Sequence, residues 1–152
     1  MTSATRITIR VLSLTLLLLA GCGRVHIIGD ALTPEEHLRL ALAYEKDQKI
    51  DLAEKEFEKA SVKLPLANLY WGNLLYGQKR YGEAESRYRR AMKALPEHPE
   101  AYNNLAWMFC ERGEKLDEAL ALARRAAALA PPERQAAYRD TLDCVKKKLG
   151  RQ

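Results

Sequence analysis

Residues 71–96 read WGNLLYGQKRYGEAESRYRRAMKALP, and the order of small, bulky and breaker residues in this stretch decides the fold. A bulky residue stands beside a small one at Trp71-Gly72, with Leu75 three residues after Gly72. Two alanines seven residues apart follow, Ala84 and Ala91, with Tyr88 between them and Pro96 five residues beyond the second. The same marks recur on either side. Ala53 and Ala60 bracket Phe57 before Pro65, and Ala119 and Ala126 bracket Ala123 before Pro131. Upstream of each alanine pair, Leu40-Ala41 precedes Tyr44 and Leu105-Ala106 precedes Phe109. The spacings are 31 residues from Ala60 to Ala91 and 35 from Ala91 to Ala126, which straddle the period of about 34 expected of a helix-turn-helix repeat. All six prolines fall where helices should end, and none falls inside one.

Composition agrees with this reading. The 152 residues are 47% apolar and 30% charged, which fits one globular domain. Ala, Leu, Glu, Lys and Arg dominate after the first thirty residues, so the bulk of the chain should be helical. The pattern predicts helices at about 35–47, 50–63, 67–78, 81–95, 99–112, 116–130 and 133–149.

This sequence resembles the tetratricopeptide repeat, whose consensus runs W-x2-L-G-x2-Y, then A-x3-F, then A and P. The resemblance implies an all-α helical solenoid of three antiparallel helix pairs at about 34–64, 65–98 and 99–132, with a capping helix at 133–149. Small residues at Ala41, Gly72 and Ala106 would let the paired helices approach closely. Repeat 1 lacks three residues before repeat 2 and repeat 3 carries one extra near Gly113-Glu114-Lys115-Leu116; both changes are expected in loops. The basic run Lys146-Lys147-Lys148 suits the solvated end of a cap helix.

The first residues carry a different message. MTSATRITIRVLSLTLLLLAGC has Arg6 and Arg10, no acid, and an apolar run too short to span a bilayer, which is the form of a signal peptide at 1–21. Leu19-Ala20-Gly21-Cys22 resembles the lipobox of bacterial lipoproteins, which implies cleavage before a diacylated Cys22 and a tether over 22–33. Gly23 stands where an Asp would resemble an inner-membrane retention signal, so the resemblance implies the periplasmic face of an outer membrane. Without Arg6 and Arg10 the formal net charge falls from +5 to +3, too mild for a nucleic-acid partner.

Catalytic and metal chemistry has no visible apparatus. His26 lies in the tether, His37 on the core-facing row of the first helix and His98 in a turn, and no Cys/His spacing suits a metal. After cleavage, Ser61 and Ser86 are the remaining serines, neither with a histidine at helical spacing. Gly72 to Gly77 has the glycine step of a phosphate loop, but Gln78-Lys79 replaces its Lys-Ser/Thr pair. No enzyme activity, cofactor, metal or small-molecule substrate is therefore expected beyond the lipid on Cys22. Cys110 and Cys144 fall on one face of neighbouring helices in repeat register, and form either a disulfide or two separate half-buried thiols.

The resemblance places the binding surface on the first helix of each pair. In that register the groove positions are Glu35, Leu38, Leu42, Glu45, Leu69, Asn73, Tyr76, Asn103, Asn104, Trp107, Cys110 and Asp140. Asn73 and Asn104 stand where peptide-clamping members of the family carry asparagines that bond a ligand backbone. Leu69 stands where those members have a carboxylate-binding lysine, and Ala137 and Thr141 where they have further basic residues. The groove is thus expected to be apolar and amide-lined, with Trp107 and Tyr76 as anchors for a protein or peptide segment. Charge runs such as Arg87-Tyr88-Arg89-Arg90 should be solvated helix faces. The whole resembles lipoproteins with these repeats that help assemble pili, secretion pores or cell-wall machinery. A structural subunit of an envelope complex, bound through its convex face or ends, is the alternative reading.

Overall fold

The computed structural model describes residues 30–150, and those from Leu32 onward form one helical unit. The signal peptide at 1–21, Cys22 with its lipid, His26 and most of the tether lie outside the described residues. Seven α-helices and no strand are present among the described residues: α1 (Pro34–Lys46), α2 (Ile50–Ser61), α3 (Leu66–Gly77), α4 (Tyr81–Ala94), α5 (Pro99–Arg112), α6 (Leu116–Leu129) and α7 (Gln135–Lys148). Each expected helix is there, with ends within about two residues of the sequence expectation. None of them is long and apolar enough to cross a membrane.

Local chemistry sets the ends. Thr33 opens α1 with a capping box: its hydroxyl accepts from Glu36 N–H (3.2 Å), and its own N–H donates to the Glu36 carboxylate (2.8 Å). Pro34 and Pro99 occupy first-turn positions, where a missing N–H costs nothing. The turns inside the three pairs close alike. Lys49 N–H donates to the Tyr44 carbonyl, Arg80 N–H to Leu75 and Glu114 N–H to Phe109, at 2.8, 2.9 and 3.0 Å. These are the six-to-one bonds of a Schellman end, and they need a left-handed residue. Gly113 supplies it in the third pair (φ 67°), whereas Gln48 (59°) and Lys79 (61°) supply it in the first two at a steric cost of about 1 kcal/mol each.

The length changes between repeats split in their outcome. The extra residue of repeat 3 is in the turn, where it puts Lys115 into the left-handed region as well (φ 47°). The shortfall of repeat 1 is not confined to the loop. Residues 62–65 join α2 to α3 and residues 95–98 join α4 to α5, so the two loops are equally long. The missing residues come off the helices, since α2 stops one residue after Ala60 while α4 runs three beyond Ala91. α3 gives up the rest, since it begins at Leu66, one residue later in register than α5 at Pro99, with Pro65 as its N-cap in the helical region (φ −54°, ψ −32°).

Packing follows the alanine and glycine marks. Each odd helix packs on the next even one, consecutive pairs stack, and α7 closes the end by packing on both α5 and α6. Ala41, Ala53, Ala60, Ala84, Ala91, Ala106, Ala119 and Ala126 are all essentially solvent-free. Gly72 is the tightest point. A Cβ there would lie 2.6 Å from Cε1 of the buried Tyr88, so the large ring on α4 is accommodated by the absent side chain on α3. His37, placed on the core-facing row by the sequence, is buried and its Nδ1 lies 2.5 Å from a Glu56 oxygen on α2. Tyr138, Thr141 and Val145 of the cap are buried, and a disulfide joins Cys110 of α5 to Cys144 of α7, with Cα atoms 6.4 Å apart.

The run at Arg87 is solvated at Arg89 and Arg90, as expected, but not at Arg87 or Tyr88. Tyr88 is core, Arg89 pairs with both Glu85 and Glu118, and the Arg87 guanidinium carbon lies 3.2 Å from the centroid of the Trp71 ring. Phe57 stacks on the same indole at 6.5 Å. A long cationic side chain can cover an apolar ring and still reach water with its head, which a linear reading of charge does not reveal.

Candidate interaction site on the first helices of the repeats

Six side chains, Asn73 and Tyr76 of α3, Tyr88 of α4, and Asn103, Asn104 and Trp107 of α5, line a depression of about 270 Å³. It exists because α3 and α5 touch directly, which brings the same helical face of repeats 2 and 3 side by side. Its floor is an amide relay. The Tyr88 hydroxyl donates to Asn73 Oδ1 (3.0 Å) and Asn104 Nδ2 donates to the same oxygen (2.9 Å). With that oxygen taken, the Asn73 amide nitrogen is the group left to meet a ligand, and it donates to no other described residue. Asn103 Nδ2 leans on Asn104 Oδ1 at 3.5 Å. Asn103 Oδ1 is buried without any partner. A buried acceptor left unpaired costs about 1 to 3 kcal/mol.

Tyr76 closes one side of the depression. Its hydroxyl donates to the Glu111 carboxylate, and Tyr81 packs against its ring at 6.1 Å. Burial and the Glu111 charge push the Tyr76 pKa up to about 12, with the Trp107 indole opposing the shift. Burial raises the Tyr88 hydroxyl too, so both phenols stay neutral donors across ordinary pH. Trp107 also lines the depression, close to the Tyr76 hydroxyl, and is 37% exposed. Past it lies a second, open cavity of about 660 Å³, lined by Trp107, Asp140, Asp143, Cys144, Lys147 and Lys148. The Trp107 ring is therefore a ridge shared by two hollows.

Residues 65–131 match the tetratricopeptide repeat family. That stretch runs from the start of α3 through α6 and carries every residue of the first depression. Tetratricopeptide repeats in general serve as protein-interaction scaffolds, and the all-helical fold of stacked pairs described above is that of a tetratricopeptide solenoid. No curated protein matches the chain.

Within the tetratricopeptide register, the structure separates residues that the sequence grouped. Asn73, Tyr76, Asn103, Asn104 and Trp107 come together in one depression, and Asp140 lines the second hollow. Leu69 does not line the groove: it is 1% exposed and belongs to the core, because α3 has a repeat on either side and its outward position is covered. Cys110 is likewise buried, because α7 packs over the position that its repeat equivalents Tyr76 and Glu45 leave half open. Leu38 and Leu42 are half-buried against the core on α1 and line neither hollow. Glu45 on the same helix is half-buried, and burial raises its pKa. Tyr88 was missing from the sequence reading of the site, since its alanine-flanked position marks it as core; it is core, and its hydroxyl alone reaches the depression. Among the described residues no cluster of His, Cys, Asp and Glu could hold a metal ion.

Proposed function

We propose that this chain is a lipid-anchored scaffold that holds one extended protein or peptide segment against the face of its odd-numbered helices. The observation that supports it is the depression between α3 and α5, where an exposed indole stands beside a buried, unpaired carbonyl oxygen and an unengaged amide N–H₂. An extended segment offers one N–H and one C=O per residue, so a C=O can accept from Asn73 Nδ2 while an apolar side chain packs on Trp107. A large aromatic so placed is worth about 2 kcal/mol or more when fully engaged. The resemblance of Leu19-Ala20-Gly21-Cys22 to a lipobox supports a place of action at a bacterial membrane, through acyl chains on Cys22. In this reading the protein serves assembly of an envelope complex, such as a pilus, a secretion pore or cell-wall machinery, from the periplasmic face of the outer membrane.

A crosslinking pull-down from membranes tests both halves. The wild-type chain should capture a protein that the Tyr76→Ala/Trp107→Ala variant loses at unchanged helicity, and Cys22→Ser should release the chain from the membrane fraction. Partners retained by the double variant would instead place the contact on the convex face or the ends.

A further inference from the structure

The cavity between Trp107 and the cap helix is set apart from three other aromatic sites by what is missing from it. Trp71 is covered by Arg87, Tyr81 by Arg112 and Tyr138 by Arg134, with the guanidinium carbons 3.2, 4.1 and 5.6 Å from the ring centroids. No cation of the described residues lies over Trp107. Several of the surface acids are matched by a cation within the chain. Glu54, Glu83, Glu85, Glu97, Glu100 and Glu118 all take part in ion pairs with arginine or lysine. Asp140 and Asp143, which line the cavity beside Trp107, take part in none among the described residues, nor do Lys147 and Lys148 at its far end.

We infer that this cavity is a second subsite of the groove, which receives a charged pair from the bound segment: an arginine or lysine stacked on Trp107 between Asp140 and Asp143, and an acidic residue against Lys147 and Lys148. The inference rests on the groove reading above and adds to it the chemistry of the occupant. Trp107 supplies a quadrupole for a cation and the two carboxylates supply its counter-charge, the arrangement the chain already uses on itself at Trp71 and Tyr81. Spacing follows from the helix. Along α7, Asp143 and Lys147 stand about 6 Å apart and Asp140 and Lys148 about 12 Å, at 1.5 Å per residue. An extended chain advances about 3.3 Å per residue and turns every second side chain to the same face, so opposite charges facing the cavity must stand two or four residues apart. The wall between the two charged ends is apolar, formed by the indole and the Cys144 end of the disulfide, and calls for a leucine-like side chain between the charges.

The test uses the full-length chain in mild detergent and fluorescein-labelled ten-residue peptides, read by polarisation. One pair carries Arg and Glu four residues apart with a Leu midway, in either order; the controls carry two Arg, two Glu or two Gln at the same places. The expected result is that one mixed-charge order binds at least tenfold more tightly than all three controls. Asp140→Asn/Asp143→Asn should then erase the gain from Arg and spare that from Glu, and Lys147→Gln/Lys148→Gln should do the reverse. Asn73→Ala should weaken every peptide alike. Equal binding of mixed and uncharged peptides, or an equal loss on all peptides in the Asp variant, would overturn the inference. So would a wild-type chain that binds no peptide, and in that case capture of a Trp107-dependent partner from membranes would still leave the groove reading standing.

Discussion

Two tryptophans sit on the first helices of successive repeats, and the chain treats them in opposite ways. Trp71 lies between Phe57 and the Arg87 guanidinium, 6% exposed, with its surroundings supplied by α2 and α4. Trp107 stands between two hollows, 37% exposed, with no cation of the described residues over its ring. The difference teaches that a tryptophan in a solenoid becomes a binding residue where the chain leaves it uncovered, not where it is merely present. In repeat 2 the neighbouring helices complete the ring's environment, so its burial contributes to folding. In repeat 3 that environment is left for something else to complete.

The largest effect should come from removing the covered ring. Trp71→Ala leaves a void under Arg87 and should cost about 3 to 5 kcal/mol in urea unfolding, while Trp107→Ala should cost about 1 kcal/mol or less. Similar losses at both sites would break the comparison. Next is the covalent tie beside Trp107. Cys144→Ala opens a disulfide between residues 34 apart in sequence and should lower stability by about 3 to 4 kcal/mol under non-reducing conditions. Proteolysis should then begin in α7, leaving the Trp71 repeat protected. Gly72→Ala pushes a methyl into Tyr88, with an expected loss of about 1 to 3 kcal/mol. Because the Tyr88 hydroxyl holds Asn73, this change should also reach the Trp107 depression, seen as altered Asn73 and Asn104 side-chain amide shifts by NMR. The smallest effect has the opposite sign. Lys79→Gly relieves a left-handed residue in the turn after Trp71 and should stabilise by about 0.5 to 1 kcal/mol, whereas the equivalent turn near Trp107 already has Gly113.

Much of this was legible in the order of residues. The alanine pairs, the small residues at 41, 72 and 106 and the prolines are read locally, and they gave the helices, their pairing and the helical face that carries Asn73, Tyr76 and Trp107. Features settled between distant residues were not. Leu69 and Cys110 share their register with exposed groove positions, and only the neighbouring helices decide that both are covered. Arg87 reads as a solvated charge until Trp71 is found beneath it. The deletion in repeat 1 looked like a shorter loop, but loop closure was kept and the helix ends gave way. The sequence left the fate of Cys110 and Cys144 open because repeat register fixes a face, not a sulfur-to-sulfur distance.

The central claim is that the uncovered Trp107 is held for a partner while the covered Trp71 is held for the fold. The most direct test takes the protein captured from membranes and measures its affinity for wild type and Trp107→Ala, with the thermal unfolding midpoint read on the same preparations. A loss of tenfold or more in affinity at a nearly unchanged midpoint is the predicted result. Unchanged affinity, or a loss that appears only together with a matching fall in the midpoint, would contradict it.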